Sequence, residues 1–198
     1  MSASNSIAFF DTQFQRQVRE SDFALNPFEQ LALDYVAGTV LDYGCGLGNL
    51  SLAAARRGCR VVAIDASATA VERIRTAAAQ EKLAVEAVRA DLSDHRIERS
   101  YDTIVAIGLL MFFRRERALA LLADIQANVA AGGCAIVNVL IEGTTFMGMF
   151  DPDNYCLFGR DELEQRFAGW QMLVSRHDSF PAPNDTRKEF STVIARRA

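Results

Sequence analysis

The sequence lacks the features that mark several common classes of protein. Its four cysteines, at positions 45, 59, 134 and 156, form no C-x-x-C pair and have no nearby histidine, which argues against a zinc site and a disulfide framework. The longest apolar run, 104–113, is interrupted by Gly108 and is too short to span a bilayer. The first ten residues lack the basic and apolar regions of a signal peptide. We therefore predict a cytoplasmic protein with reduced thiols, no bound metal and no membrane contact.

Positive charge is also scarce. The 198 residues include 21 Lys and Arg against 25 Asp and Glu, a formal net charge of −4. A general nucleic-acid binder needs a basic face to displace counterions from phosphates, so we predict no nucleic-acid partner. Half of the composition is hydrophobic, which for this length is enough for one well-packed core and short for two. We predict a single domain over residues 1–198 and leave the oligomeric state open.

One stretch, residues 40–51, organises the rest of the chain. Its sequence is V-L-D-Y-G-C-G-L-G-N-L-S, in which apolar and β-favouring residues lead into glycines at alternate positions. The pattern predicts a strand, a tight turn and a helix. Gly44, Gly46 and Gly48 allow a positive φ and leave no side chain between the turn and a ligand. We interpret this stretch as a cofactor loop.

The remaining sequence predicts alternating strands and helices. Phe10, Phe14 and Val18 form an amphipathic stripe, typical of a helix that either packs on the body or covers a site as a mobile flap. Helices are predicted at 9–21, 27–38, 50–57, 67–82, 116–130 and 160–167. Strands are predicted at 39–43, 59–64, 85–90, 101–107, 134–141, 170–175 and 190–195. The alternation indicates a parallel sheet, and the last two strands are expected to pair antiparallel across residues 181–185.

Acidic residues end three successive predicted strands. In an open parallel sheet the ligand lies beyond these carboxyl ends, where Asp42, Asp65 and Asp91 are placed. Each alone is typical of a helix cap or turn. Asp65, at the end of the second strand, is positioned to accept hydrogen bonds from ribose hydroxyls. The G-x-G-x-G order and Asp42 disfavour a dinucleotide pyrophosphate and favour a cationic amino-acid cofactor.

These motifs resemble the class I S-adenosylmethionine-dependent methyltransferases. The runs V-L-D-Y-G-C-G-L-G-N, A-I-D-A-S, A-D-L and Y-D-T-I-V-A-I-G match that family in order and spacing over residues 39–141. The resemblance implies a Rossmann-like α/β fold: a parallel seven-stranded sheet with a C-terminal antiparallel hairpin and helices on both faces. It implies that Gly44, Cys45 and Gly46 line the methionine part of S-adenosylmethionine, that Asp65 holds the ribose, that Asp91 and Leu92 hold the adenine and that Asp42 orients the loop and the cofactor amine. Ala66 and Ile107 complete the candidate cofactor residues.

The second half of the chain shows a narrower resemblance, to the small tellurite-resistance type methyltransferases. It rests on G-L-L-M-F-F at 108–113, on E-L and F-A-G-W between 162 and 170, and on F-S-T-V-I-A-R-R at 190–197. That type has a His-Arg pair before its last strand. Here Ser179, Phe180 and Pro181 stand near that point, and only Arg187 remains nearby.

The acceptor side is expected after the fourth and fifth strands. A long insert at 143–158 carries Met147, Phe150 and Tyr155, an unusual use of apolar residues in a loop, and predicts a lid on the substrate side. Met111 is a further candidate contact, although core packing explains it as well. Glu142 and Arg187 are the candidate catalytic residues. The alternative for Glu142 is a solvated loop carboxylate, and the alternative for Arg187, which its position favours, is an ordinary exposed hairpin residue. Residues 1–37 are interpreted as a helical cap or lid.

The histidines give no clear base. His95 and His177 fit a surface loop and an edge strand. The N-P-P-Y motif of amine-directed family members is absent after the fourth strand. We therefore predict an S-adenosylmethionine-dependent methyltransferase that acts on a small molecule by in-line transfer to S, Se, Te or O. The alternatives are an S-adenosylmethionine-binding protein without catalysis and, less favoured by the glycine spacing, a nicotinamide oxidoreductase.

Overall fold

A seven-stranded sheet forms the centre of the molecule. The computed structural model describes residues 5–198, with side chains from residue 6. The strands lie in the order β3-β2-β1-β4-β5-β7-β6. The first five in this order are parallel, and β7 is inserted antiparallel between β5 and β6. Their bounds are β1 Thr39–Tyr43, β2 Arg60–Asp65, β3 Val85–Arg89, β4 Tyr101–Ile107, β5 Val129–Leu140, β6 Gln171–Ala182 and β7 Thr186–Arg196.

Helices cover both faces of this sheet. One apolar core packs α2, α3 and α4 on one face, and a second packs α5 and α6 on the other. The central strands are apolar and buried on both faces, as expected for a parallel sheet covered twice. The helix bounds are α1 Asn5–Glu20, α2 Pro27–Ala32, α3 Asn49–Arg56, α4 Ala68–Glu81, α5 Arg115–Asn128 and α6 Glu162–Arg166.

Local signals explain where the helices on the site face begin. The Asn26 side chain accepts from the N–H groups of Phe28 and Glu29, and Pro27 occupies the first helical position of α2. Ser67 caps α4 by accepting from the N–H of Ala70 at 3.1 Å. These caps fix the two helices beside the carboxyl edge of the sheet, where the glycine turn lies.

The structure confirms the predicted fold class and the C-terminal antiparallel hairpin but moves several boundaries. The predicted helix 116–130 ends at Asn128, because Val129 already pairs with Tyr101 in the sheet. Gly132 and Gly133, which follow the predicted helix, lie inside β5, where the Gly132 N–H donates to the Arg197 carbonyl at 3.0 Å. The hairpin strands are twice as long as predicted, and the turn between them shrinks to residues 183–185. The helix predicted at 27–38 ends at Ala32.

Two of the predictions assign whole segments of the chain, a cap at 1–37 and a lid at 143–158. Residues 1–4 of the predicted 1–37 cap lie outside the described residues; the rest forms α1, a linker and α2. The 143–158 insert runs as irregular loop between β5 and α6. Within residues 5–198, every helix is too short or too polar to cross a membrane. The same residues contain no grouping of three or more His, Cys, Asp or Glu side chains suited to a metal ion.

Candidate active site

The glycine turn is fastened to the end of β2. The N–H groups of Gly44 and Cys45 donate to the Ile64 carbonyl at 2.8 and 3.0 Å. Gly44, Gly46 and Gly48 have φ of +73°, +52° and +70°, a region that L side chains rarely adopt. The sequence between β1 and α3 therefore makes the tight turn that its spacing predicts.

The three glycines have different neighbours. A Cβ on Gly44 would lie 2.7 Å from Leu109 Cδ1, and one on Gly48 would overlap the Ile74 side chain of α4. A Cβ on Gly46 would lie 3.3 Å from Phe14 Cζ in α1. The predicted positive φ is confirmed at all three glycines, and two of the three also have close neighbours inside the protein. Gly44 and Gly48 are required by packing against Leu109 and Ile74, whereas Gly46 is covered by Phe14 of α1.

Asp65 lies beside this turn at the end of β2. Its Oδ2 accepts from the Gly46 N–H at 2.8 Å and its Oδ1 from the Ser67 N–H at 2.9 Å. Burial raises the pKa of the carboxyl, and the backbone hydrogen bonds oppose that shift. A carboxylate has about four lone-pair sites, so each oxygen keeps room for one more donor. Two neighbouring hydroxyls, as in a ribose, fit this group.

Asp42 lies underneath the turn, 5 % exposed. Its Oδ2 accepts a hydrogen bond from Ser51 Oγ at 2.6 Å, which ties the end of β1 to α3. Burial raises the pKa of the Asp42 carboxyl to about 7, and the nearby acids Glu29 and Asp65 add to the shift. Burial also raises the pKa of the Cys45 thiol. Among the described contacts, Asp42 supports α3 and makes no hydrogen bond to the turn itself.

The other predicted cofactor residues follow the neighbouring strands. Asp91 is exposed beyond β3, and its Oδ1 accepts from the Ser93 N–H at 2.9 Å. Leu92 is 4 % exposed and belongs to the core under α5. Ala66 and Ile107 are half-buried, at the ends of β2 and β4. The structure therefore places all of these positions along one edge of the sheet.

Helix α1 covers this edge. Ser67 Oγ donates to Asp11 Oδ1 at 2.6 Å, and Phe14 lies over Gly46. One turn earlier, the Phe10 ring meets Phe112 edge-on, with centroids 5.0 Å apart. The amphipathic stripe that predicts a helix here is the face that contacts both the glycine turn and the segment after β4.

Most of the side chains predicted for the acceptor side lie together in one apolar cluster. We call it the Met–Phe cluster; its buried members are Met111, Leu140, Met149 and Phe150, with Phe112, Phe146, Met147, Leu157 and Phe190 packed against them. Phe150 stacks on Tyr155, with centroids 4.9 Å apart, and Tyr155 is 36 % exposed. The insert therefore packs its apolar residues against the end of β4 and β5.

The two candidate catalytic residues lie outside this cluster. Glu142 is exposed, and its N–H donates to the Phe158 carbonyl at 2.9 Å. Arg187 is exposed as well, and its Nε lies 3.1 Å from Glu189 Oε1 and 3.4 Å from the Gly143 carbonyl. Both side chains are at the rim of the acceptor side and face solvent.

Sequence reasoning missed three polar side chains here. His95 is half-buried, not a surface residue, because its Nδ1 lies 2.9 Å from the Tyr43 hydroxyl. Asn138 is fully buried in β5; its Nδ2 donates to Thr192 Oγ1 at 2.9 Å, and its Oδ1 has no partner among residues 5–198. Lys188 is half-buried on β7. A lone Asn within the apolar run C-A-I-V-N-V-L was the available signal for Asn138.

The comparison with known families supports the resemblance that the motifs indicate. A family model described as a methyltransferase domain matches residues 40–133, from β1 into β5. Together with the relatives and solved structures below, this match supports a resemblance to the class I S-adenosylmethionine-dependent methyltransferases. The matched segment contains the glycine turn, Asp65 and Asp91, which are the residues that carried the predicted resemblance. S-adenosylmethionine is the cofactor of this family, and the site residues fit it as described for Asp65 above.

The sequence is also similar to curated proteins, one of which is named as a methyltransferase. A probable S-adenosyl-L-methionine-dependent methyltransferase, TehB of Haemophilus influenzae strain 10810, is 26 % identical over 164 residues, which is 80 % of this chain and 57 % of TehB. Hemagglutinin 1 of Eikenella corrodens is 32 % identical over 133 residues, which is 67 % of this chain and 44 % of that protein. The chain thus spans about half the length of these curated relatives.

Solved structures show the methyltransferase fold. The crystal structure of TehB from Haemophilus influenzae matches with a TM-score of 0.77 at 21 % identity, over 92 % of this chain and 65 % of the other. A 1,6-didemethyltoxoflavin-N1-methyltransferase of Burkholderia thailandensis, with bound 1,6-didemethyltoxoflavin and S-adenosylhomocysteine, matches with a TM-score of 0.66 at 19 % identity. That match covers 100 % of this chain and 92 % of the other. The predicted resemblance to the methyltransferase fold is confirmed.

Proposed function

We propose that this protein transfers the methyl group of S-adenosylmethionine to a small-molecule acceptor in an in-line displacement. The observation that carries the proposal is the Asp65 carboxylate, held by the N–H groups of Gly46 and Ser67 with lone pairs to spare, directly beside the glycine turn. The small-molecule acceptor bound in the Burkholderia thailandensis neighbour supports the substrate class.

In this proposal the chain's own residues bind the cofactor in three parts. Asp65 accepts the ribose hydroxyls, Asp91 and Leu92 flank the adenine, and the backbone from Gly44 to Gly46 lines the methionine part. Ala66 and Ile107 line the same edge of the sheet. Asp42 acts through Ser51 by fixing the angle between β1 and α3. S-adenosylmethionine supplies an electrophilic methyl group on a positively charged sulfur.

Two apolar surfaces exclude water from the reaction. The positive charge on sulfur disappears during the transfer, so a site of low polarity favours the transition state. The Met–Phe cluster forms the acceptor wall, to which Met111, Met147, Phe150 and Tyr155 contribute, and α1 closes the cofactor side through Phe14 and Phe10. Residues 1–37 are thus proposed as the lid, and 143–158 as the substrate-side insert, of one domain.

Neither candidate catalytic residue belongs to the Met–Phe cluster. Glu142 and Arg187 lie at its rim in solvent. A thiolate, a selenolate or a tellurium oxyanion reaches the site already deprotonated and needs only orientation, whereas a hydroxyl acceptor needs a base. The proposed acceptor atom is therefore S, Se or Te. If the acceptor atom is the oxygen of a hydroxyl, Glu142 is the residue proposed to act as the base.

Calorimetric titration with S-adenosylhomocysteine tests cofactor binding. We expect micromolar binding by the wild type and a loss of about tenfold to a hundredfold in Asp65→Ala, because a charged acceptor of two hydrogen bonds is removed. Asp94→Ala, which removes an exposed acid of the 93–100 loop, is the matched control and should bind like the wild type. Undiminished binding by Asp65→Ala would contradict the proposed site.

Turnover separates an enzyme from a binding protein. Incubation with S-adenosylmethionine and a panel of thiol, selenol, tellurite, phenol and carboxylate acceptors is followed by release of S-adenosylhomocysteine. Release with at least one acceptor is expected. Tight binding without turnover across the whole panel would favour the alternative, a cofactor-binding protein that does not catalyse.

A further inference from the structure

Lys188 lies at the carboxyl edge of the sheet, next to the acceptor side. Leu140, the last residue of β5, pairs with Phe190 of β7. Lys188 lies two residues before Phe190, so its side chain is on the same face of the sheet and just past the end of β5. The insert is fastened here, because the Thr145 N–H donates to the Arg187 carbonyl at 2.9 Å and the Glu189 N–H to Thr144 Oγ1 at 3.0 Å. Lys188 is therefore held where the insert crosses the hairpin.

The Lys188 ammonium contacts an aromatic ring of the Met–Phe cluster. Its Nζ lies 4.7 Å from the centroid of Phe146, and the side chain is half-buried. Among the described residues, the Lys188 ammonium makes no ion pair and no side-chain hydrogen bond. Its one charge-dependent contact there is the cation–π interaction with the Phe146 ring. Burial lowers the pKa of this amine, with no opposing contribution from an acid.

The acids around Lys188 are already paired with other cations. Asp178, on the same face of the hairpin, accepts from Arg176 Nε at 2.8 Å. Glu189, on the opposite face, lies 3.1 Å from Arg187 Nε and accepts from Ser179 Oγ at 2.9 Å. The hairpin thus pairs Arg176 and Arg187 and leaves Lys188 without a counter-charge. A half-buried cation that lacks a counter-charge is stabilised when a bound ligand provides an anionic group.

We propose that the methyl acceptor carries an anionic group, a carboxylate or a comparable oxyanion, which pairs with Lys188 while its apolar body lies against the Met–Phe cluster. The inference rests on the proposed function, since it assigns the acceptor of that same reaction. Lys188 orients the acceptor and selects for negative charge. It is a binding residue and transfers no proton.

A matched pair of aromatic thiols tests the selection. The probes are 4-mercaptobenzoate and the neutral 4-mercaptobenzamide, titrated into protein saturated with S-adenosylhomocysteine. We expect the wild type to bind the acid at least tenfold more tightly than the amide. Lys188→Met should bring this ratio close to one, and Lys188→Arg should retain most of it. Arg60→Met, which removes a cation at the amino end of β2, should leave the ratio unchanged.

The outcomes separate the two proposals. S-adenosylhomocysteine affinity and melting temperature of Lys188→Met should equal those of the wild type, which excludes misfolding. Equal binding of acid and amide by the wild type, binding of neither probe by protein that binds S-adenosylhomocysteine, or a preference that survives Lys188→Met would each overturn the role of Lys188. Absence of S-adenosylhomocysteine binding in the wild type would instead overturn the proposed function, and the inference with it.

Discussion

Ser67 Oγ donates a 2.6 Å hydrogen bond to Asp11 Oδ1, joining two residues 56 positions apart. The same hydroxyl caps α4 by accepting from the Ala70 N–H, and the Ser67 N–H donates to Asp65. This bond holds the pKa of the Asp11 carboxyl below its usual value. The position of α1 is thereby linked to the carboxylate that is proposed to bind the ribose.

Asp11→Ala should loosen α1 and leave the cap of α4 intact. The variant removes the bond from Ser67 and a second bond from Gln15 Nε2 at 2.9 Å, which lies within α1. Loss of the bond to Ser67, at a partly exposed carboxylate, is worth about 1 kcal/mol, roughly fivefold in the equilibrium for local opening. Trypsin cleavage after Arg16 and Arg19, both in α1, should therefore be several times faster, with little change in global melting temperature. Asp22→Ala, in the exposed linker, is the control. Equal cleavage rates for the two variants would contradict this role of Asp11.

The sheet and the cofactor edge could be predicted because their signals are local. A strand that ends in Asp, followed by alternate glycines, specifies the turn at Gly44 wherever the rest of the chain lies. Asp65 and Asp91 follow from the rule that ligands meet the carboxyl ends of parallel strands. The parallel sheet follows from the alternation of strands with helices.

The acceptor side could not be predicted in the same way. The unpaired state of Lys188 depends on Arg176 and Arg187 having taken the available acids, and that pairing is set by the register of β6 against β7. The burial of His95 depends on Tyr43, 52 positions away. Neither contact leaves a periodic pattern in the sequence, because each is made by a single side chain across the fold.

Gly48→Ala should destabilise the protein through packing and not through loss of a ligand contact. The added Cβ would overlap Ile74 and would hold an L residue at a φ of +70°. We expect a loss of about 2–4 kcal/mol in the free energy of unfolding, measured by urea denaturation without cofactor.

The matched control is Gly148→Ala in the insert, where an added Cβ meets no atom within 4 Å. Its effect on unfolding should stay within about 0.5 kcal/mol. A Gly48→Ala variant as stable as Gly148→Ala would show that the third glycine of the turn is not required by contact with α4.

The buried pair of Asn138 and Thr192 should behave as a coupled unit. Thr192→Val removes the acceptor of the Asn138 amide and leaves a fully buried donor without a partner, which is worth about 1–3 kcal/mol of stability. Adding Asn138→Leu also removes the Oδ1 that lacks a partner among residues 5–198, so the double variant should recover at least half of that loss. A double variant less stable than Thr192→Val alone would contradict this account.

Asp42 makes the stability of the folded chain depend on pH. Burial raises the pKa of its carboxyl to about 7, whereas in the unfolded chain the group returns to its ordinary value near 4. Between these two pKa values the folded state binds more protons than the unfolded state. The contribution of Asp42 to the free energy of unfolding is therefore fully present at the acidic end and is lost as the pH rises towards 7. The part of this loss that falls between pH 5 and pH 8 is about 2–3 kcal/mol.

Urea denaturation at pH 5, 6, 7 and 8 measures this loss, with Asp42→Asn as the informative variant. The Asn side chain still accepts the hydrogen bond from Ser51 but cannot ionise, so its unfolding free energy should decline less with pH, and the variant should gain on the wild type at pH 8. Asp94→Asn, at an exposed loop position, should keep the wild-type slope. If the wild type and Asp42→Asn lose stability in parallel, Asp42 is already ionised at pH 5, and the conclusion that burial raises its pKa to about 7 is wrong.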